Sequence, residues 1–86
     1  MYLHLGGNTL IKKNKIVTMI DLDTTKTGQR NQDFFDNLKK NRNLKYISKL
    51  GNEKTLVVTV NELIFSPISS ITLFKRAFSH KVINYY

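Results

Sequence analysis

The stretch from Lys54 to Leu73, KTLVVTVNELIFSPISSITL, restricts the possible folds more than any other part of the chain. Within it, Thr55, Val57 and Thr59 alternate with Leu56, Val58 and Val60. A period of two with this many β-branched residues predicts a strand with a fully apolar inner face. The pair Asn61-Glu62 separates that strand from a second apolar run, Leu63–Phe65. This spacing predicts a tight hairpin, and Asn suits a positive φ at the turn. Pro67 has no N–H to give to a ladder, so it ends the second strand. Ser69 or Ser70 can then cap a helix of about Ser70 to Ser79 that packs through Ile71, Phe74 and Phe78.

The segments before this stretch read as strands around one helix. Tyr2–Leu5 alternates weakly and stops at the turn signal Gly6-Gly7-Asn8. Thr9–Lys12 and Ile16–Ile20 are two further strand candidates, read as a hairpin whose tip, Lys13-Asn14, is flanked by Lys12 and Lys15. Three cations crowded on one turn repel each other, which a phosphate would relieve; equally, they keep a sheet edge from aggregating. Asp21–Gly28 is polar and reads as a loop. Gln29–Arg42 lacks Pro and Gly and carries Phe34, Phe35 and Leu38 at helical spacing, so it predicts a helix packed by one narrow face. Asp33 near its start and Lys39, Lys40 and Arg42 near its end suit the helix dipole. Leu44–Leu50 reads as another strand, and Gly51–Lys54 turns the chain back. Together these elements predict an α+β domain: a small, mainly antiparallel sheet of five or six strands, one central helix and a short C-terminal helix. Residues 1–79 form the single domain in this reading, and 80–86 a tail.

Composition narrows the function. An 86-residue chain is one domain. It buries only about 60–65% of its unfolded surface, so self-association is a reasonable support for its small core. The absence of Cys excludes disulfides and thiolate metal sites. No apolar run reaches the roughly 18 residues that span a bilayer, and the N-terminal residues have no signal-peptide pattern. A cytoplasmic location is therefore expected, without a membrane partner. The net charge of +8, from 14 basic against 6 acidic residues, favours polyanionic partners. The chain is also rich in Lys, Asn and Ile, and some of the Lys excess is explicable by composition alone.

Catalytic patterns are missing. There is no Gly-rich phosphate loop, no HExxH and no nucleophile elbow. His4 and His80 have no acidic or Cys partners near them in sequence, and His4 on a strand reads as structural. The two acids of Asp21-Leu22-Asp23 lack a third ligand or a calcium-loop pattern. The expectation is a protein without enzymatic activity, cofactor or metal.

Three stretches carry a resemblance: MYLHLGGNTLI at the start, KIVTMIDL, and KTLVVTVNELIFSPISSITLFKRA. In these the chain resembles the Rem family of bacterial extracellular-matrix regulators, and its RemB branch in particular, over Met1 to Ala77. The resemblance implies a compact α+β subunit that assembles into ring-like homo-oligomers. In the RemA branch such rings bind and bend promoter DNA and activate biofilm-matrix operons. It also implies that Lys15 stands where that branch has a DNA-contacting Arg. After Gly51, where the branch has two Arg, this chain has Asn52 and Glu53, followed by Lys54.

Two functional expectations follow. The first is a DNA-binding transcription regulator of matrix genes, oligomeric, holding double-stranded DNA through its phosphates. Its candidate contacts are Lys12, Lys13, Lys15, Lys45, Lys49 and Lys54. The alternative is a regulatory or scaffold protein that acts through protein contacts with a RemA-type paralogue, which Asn52 and Glu53 favour.

Overall fold

The computed structural model describes residues 1–22 and 31–83, with the side chains of 31–32 and 78–83 excepted. Among the described residues, six strands fall into two sheets. β1 (Tyr2–Gly6) and β2 (Thr9–Lys12) form an antiparallel pair. The second sheet has four strands in the order β3 (Ile16–Asp21), β5 (Thr55–Thr59), β6 (Glu62–Ser66), β4 (Asn43–Tyr46). Two helices lie wholly within the described residues, α1 (Asn31–Lys39) and α2 (Ser70–Ile83).

The α+β class stands, with the strands divided between a pair and a four-stranded sheet in place of one sheet of five or six. The reason lies at Lys13–Lys15. These residues form a 3₁₀ turn that carries the chain from one sheet to the next. β2 pairs only with β1, while β3 pairs with β5, so the expected β2–β3 hairpin does not form. A period-two pattern marks a strand but does not name its partner.

The strand after α1 also differs from expectation. β4 covers Asn43–Tyr46, shorter than the Leu44–Leu50 run, and it lies parallel to β6 in an otherwise antiparallel sheet. β3 and β4 run in the same direction at opposite edges of the sheet. Two strands of like direction need a crossover, and the segment holding α1 provides it. α1 is thus a crossover helix on one face, not a central one. Two residues past its end Asn41 sits at φ 63°, a left-handed conformation that Asn tolerates. Arg42 then donates from Nε to the Thr59 carbonyl at 2.8 Å and from Nη1 to the Leu38 carbonyl at 3.4 Å, tying the helix end to β5. The Asp21–Gly28 loop and the expected helix start at Gln29 lie outside the described residues, apart from Asp21 and Leu22.

β5 is buried along its whole length because both faces of the sheet are covered. On one face Val57 and Ile64 pack with Leu3 and Leu5 of β1 and Leu73 of α2. On the other, Leu56, Val58 and Leu63 pack with the partly buried Phe35 and Leu38 of α1. Each such Leu or Val contributes about 1.5–3 kcal/mol when fully buried. Val60, expected on the inner face, is 68% exposed, because the turn falls at Val60-Asn61, one residue earlier than Asn61-Glu62.

α2 follows the predicted stop-and-cap chemistry. Ser69 is the cap: its hydroxyl oxygen accepts from the Thr72 amide at 3.2 Å. The helix continues to Ile83, beyond Ser79. Its buried anchor is Leu73, whereas Ile71 and Phe74 are exposed, so the packing face differs from the Ile71–Phe74–Phe78 stripe; the Phe78 side chain lies outside the described residues. Beneath the cap, buried hydroxyls link four elements. Thr55 Oγ1 donates to the Ile68 carbonyl and shares a hydrogen bond with Ser70 Oγ at 2.9 Å. Ser66 Oγ donates to the Leu5 carbonyl at 2.6 Å and accepts from the Ile68 amide at 3.1 Å. The Ser-rich segment around Pro67 therefore serves folding.

Candidate functional site

The strand directions sort the six candidate lysines by position. At one end of the four-stranded sheet lie the start of β3, the β5–β6 turn and the start of β4. Lys12, Lys13 and Lys15 precede β3 and so belong to this end. Lys54, just before β5, belongs to the other, as does Lys49 in the loop after β4. Lys45 lies on the edge strand β4, in register with Ile64, which puts its side chain on the face that the β1–β2 pair covers. The six lysines therefore do not form one surface.

Within the first group the three cations differ. Lys13 is half-buried and points its Nζ at the Ala77 carbonyl of α2, 2.8 Å away, while its amide bonds the Met1 carbonyl. Its charge is directed inward and holds α2 against the inter-sheet turn. Lys12 and Lys15 are exposed. Both line a groove of about 630 Å³ bounded by Tyr2 and Leu10 on the β1–β2 pair and by Asn43, Asn61 and Glu62 on the sheet. Asn14 lies between the two lysines on the same rim.

The sheet's connectivity assembles this groove. The parallel register places Asn43 opposite Glu62, and the Asn43 amide bonds the Asn61 carbonyl at 2.9 Å. Two lysines and three asparagines thus line one concavity, with a single acidic residue, Glu62, among them. Chemically this is a set of cationic and neutral donors suited to phosphate oxygens. The sequence reading identified Lys12 and Lys15 but missed Asn14, Asn43 and Asn61. Asn14 adjoins Lys15, but the other two reach the groove only through a pairing between β4 and β6 that local pattern does not reveal.

The second end holds a smaller cleft of about 340 Å³, lined by Leu22, Phe35, Tyr46, Leu50, Gly51, Glu53 and Phe65. Lys49 and Lys54 are exposed near it in sequence and do not line it. His4 is accounted for structurally: its Nε2 lies 2.7 Å from the Gly7 carbonyl and closes the β1–β2 turn. Among the described residues no cluster of three or more His, Asp or Glu could hold a metal, and no helix is long and apolar enough to cross a membrane.

Comparison with known proteins gives the family. The model of the RemA-like family, described as extracellular matrix regulatory protein A-like, matches residues 2–77. The chain belongs to the RemA-like family. It is also 36% identical over 77 residues, covering 90% of both chains, to extracellular matrix regulatory protein B of Bacillus subtilis (strain 168). This RemA-like chain is thus similar to the RemB type of extracellular matrix regulatory protein, and the matched region takes in β1 through Ala77 of α2.

Proposed function

We propose that this protein is a DNA-binding transcription regulator of extracellular-matrix genes, acting in the cytoplasm as a ring-like homo-oligomer without enzymatic activity. Exposed Lys12 and Lys15, sharing one groove with three Asn side chains, carry the reading. The groove meets duplex phosphates; base edges contribute little, and sequence preference comes from how readily the DNA bends. One subunit offers few cations, but a ring repeats them, and each further phosphate contact adds to the affinity. Self-association is supported by the sheet edges: among the described residues no strand pairs with the outer side of β3 or β4. Val17 and Leu44 on these strands are exposed.

The test is fluorescence anisotropy of a labelled AT-rich duplex at low and near-physiological salt, with the native chain and Lys15→Glu. Binding that falls steeply with salt, weakened in Lys15→Glu while the circular dichroism spectrum and melting temperature stay the same, is the expected result. Native affinity in that variant removes Lys15 from the interface. A second reading, a scaffold acting on a RemA-type paralogue through protein contacts, is favoured by Asn52 and Glu53, which put an anion at the far end of the sheet. It predicts no duplex binding even at low salt and co-elution with the paralogue.

A further inference from the structure

The cleft at the far end of the sheet has a composition that phosphate binding does not use. Phe35 comes from α1, Tyr46 from β4 and Phe65 from β6. The Tyr46 and Phe65 rings are stacked, with centroids 4.5 Å apart and planes 7° from parallel. Glu53, a residue of intermediate exposure, lines the same wall, and the hydrogen bond to its carboxylate is exposed to solvent. The loop before it fixes that carboxylate. Gly51 adopts φ 98°, the Asn52 amide bonds the Lys49 carbonyl at 3.2 Å, and the Gly51 amide donates to Glu53 Oε2 at 3.0 Å. That amide is the partner Glu53 has among the described residues, and it engages one carboxylate oxygen only.

Each ligand class meets this cleft differently. An anion is repelled by the carboxylate and gains nothing from the aromatic rings. A neutral apolar molecule would cover Glu53 and leave its charge without water or a counter-charge, which is costly. A cation with an apolar body satisfies both features: its charge meets the free carboxylate oxygen, and its body and charge lie against the rings. The volume of about 340 Å³ suits a small molecule and is too small for a duplex or a helix. We propose that this cleft is a binding site for a small organic cation, an alkyl- or arylammonium, held by Glu53 and by Phe35, Tyr46 and Phe65.

The probe is 2-phenylethylammonium, and its control is 2-phenylethanol, which has the same body without the charge. The full chain is titrated with each and followed by ¹H–¹⁵N and aromatic NMR spectra, then again as Glu53→Gln. The Gln side-chain oxygen still accepts the Gly51 N–H, so the loop keeps its anchor and only the charge is lost. The expected result is saturable shifts of the Gly51 amide and of the Tyr46 and Phe65 ring protons with the ammonium. Affinity should fall about tenfold or more for the alcohol and for Glu53→Gln, as for loss of a charge-assisted contact. No saturable shift at these positions, equal affinity for ammonium and alcohol, or an unchanged Glu53→Gln overturns the proposal. The comparison of the two probes on the native chain decides the matter even if the variant folds poorly.

Discussion

A methyl group added at Gly6 meets two obstacles. The residue sits at φ 118°, which L side chains rarely adopt, and an added Cβ would lie 3.3 Å from two ring carbons of Pro67 and 3.4 Å from Ile47. Pro67 is held in turn by the Ser66 hydroxyl, which bonds the Ile68 amide on one side and the Leu5 carbonyl on the other. The glycine turn near the N-terminus and the Ser-Pro segment near the C-terminus are therefore two halves of one contact. Gly6→Ala should lower stability by about 1–3 kcal/mol, the usual cost of a strained backbone conformation. Urea unfolding followed by circular dichroism measures it; a loss below about 0.5 kcal/mol would mean that the β1–β2 turn relaxes around the new side chain.

At the scale of elements, α2 shows what phase is worth. Leu73 is buried in one cluster with Leu3, Leu5, Val57 and Ile64, whereas Ile71, two residues earlier, is 68% exposed. Leu73→Ala should cost about 2–5 kcal/mol, and Ile71→Ala should stay within about 0.5 kcal/mol. Similar losses in the two variants, measured by thermal or urea denaturation, would show that Ile71 is covered in solution. This element also marks how far sequence reasoning reaches. The end of β6, the Ser cap and the presence of a helix follow from Pro67 and Ser69, because turn and cap chemistry are local. The packing face does not follow: at helical spacing Ile71, Leu73, Phe74 and Ala77 fall on one broad apolar arc, and the pattern alone does not say that the Leu73–Ala77 side of it is the buried one. Strand β5 was legible for the same local reason. The division into two sheets and the parallel β4–β6 pairing were not, since both depend on where α1 and the Lys13–Lys15 turn carry the chain. The candidate site divides along this line. Lys12 and Lys15 are neighbours in sequence and visible as charge, whereas Asn43 and Asn61 join them only through the sheet.

For the whole molecule, the question is which end of the sheet a polyanion would meet. From Thr59, beside Lys15, to Lys54, β5 spans about 17 Å at the usual rise per residue. The Debye length at physiological salt is about 8 Å, so the two groups of cations act on a ligand almost independently. If the net charge of +8 drove binding as a diffuse field, reversing two charges at either end would weaken it equally. The groove makes a different prediction, because Lys12 and Lys15 face a concavity with donors around them, while Lys49 and Lys54 do not line the cleft at their end. Lys12→Glu/Lys15→Glu should lose most duplex affinity, and the log–log salt dependence should flatten by about 0.9 for each phosphate contact removed. Lys49→Glu/Lys54→Glu, with the same change in net charge, should keep the salt slope of the native chain and most of its affinity. Anisotropy titrations over a salt series, with melting temperatures checked for all three proteins, separate the cases. Equal losses in the two double variants would assign binding to overall charge, and a larger loss in the second would move the DNA to the opposite end of the sheet.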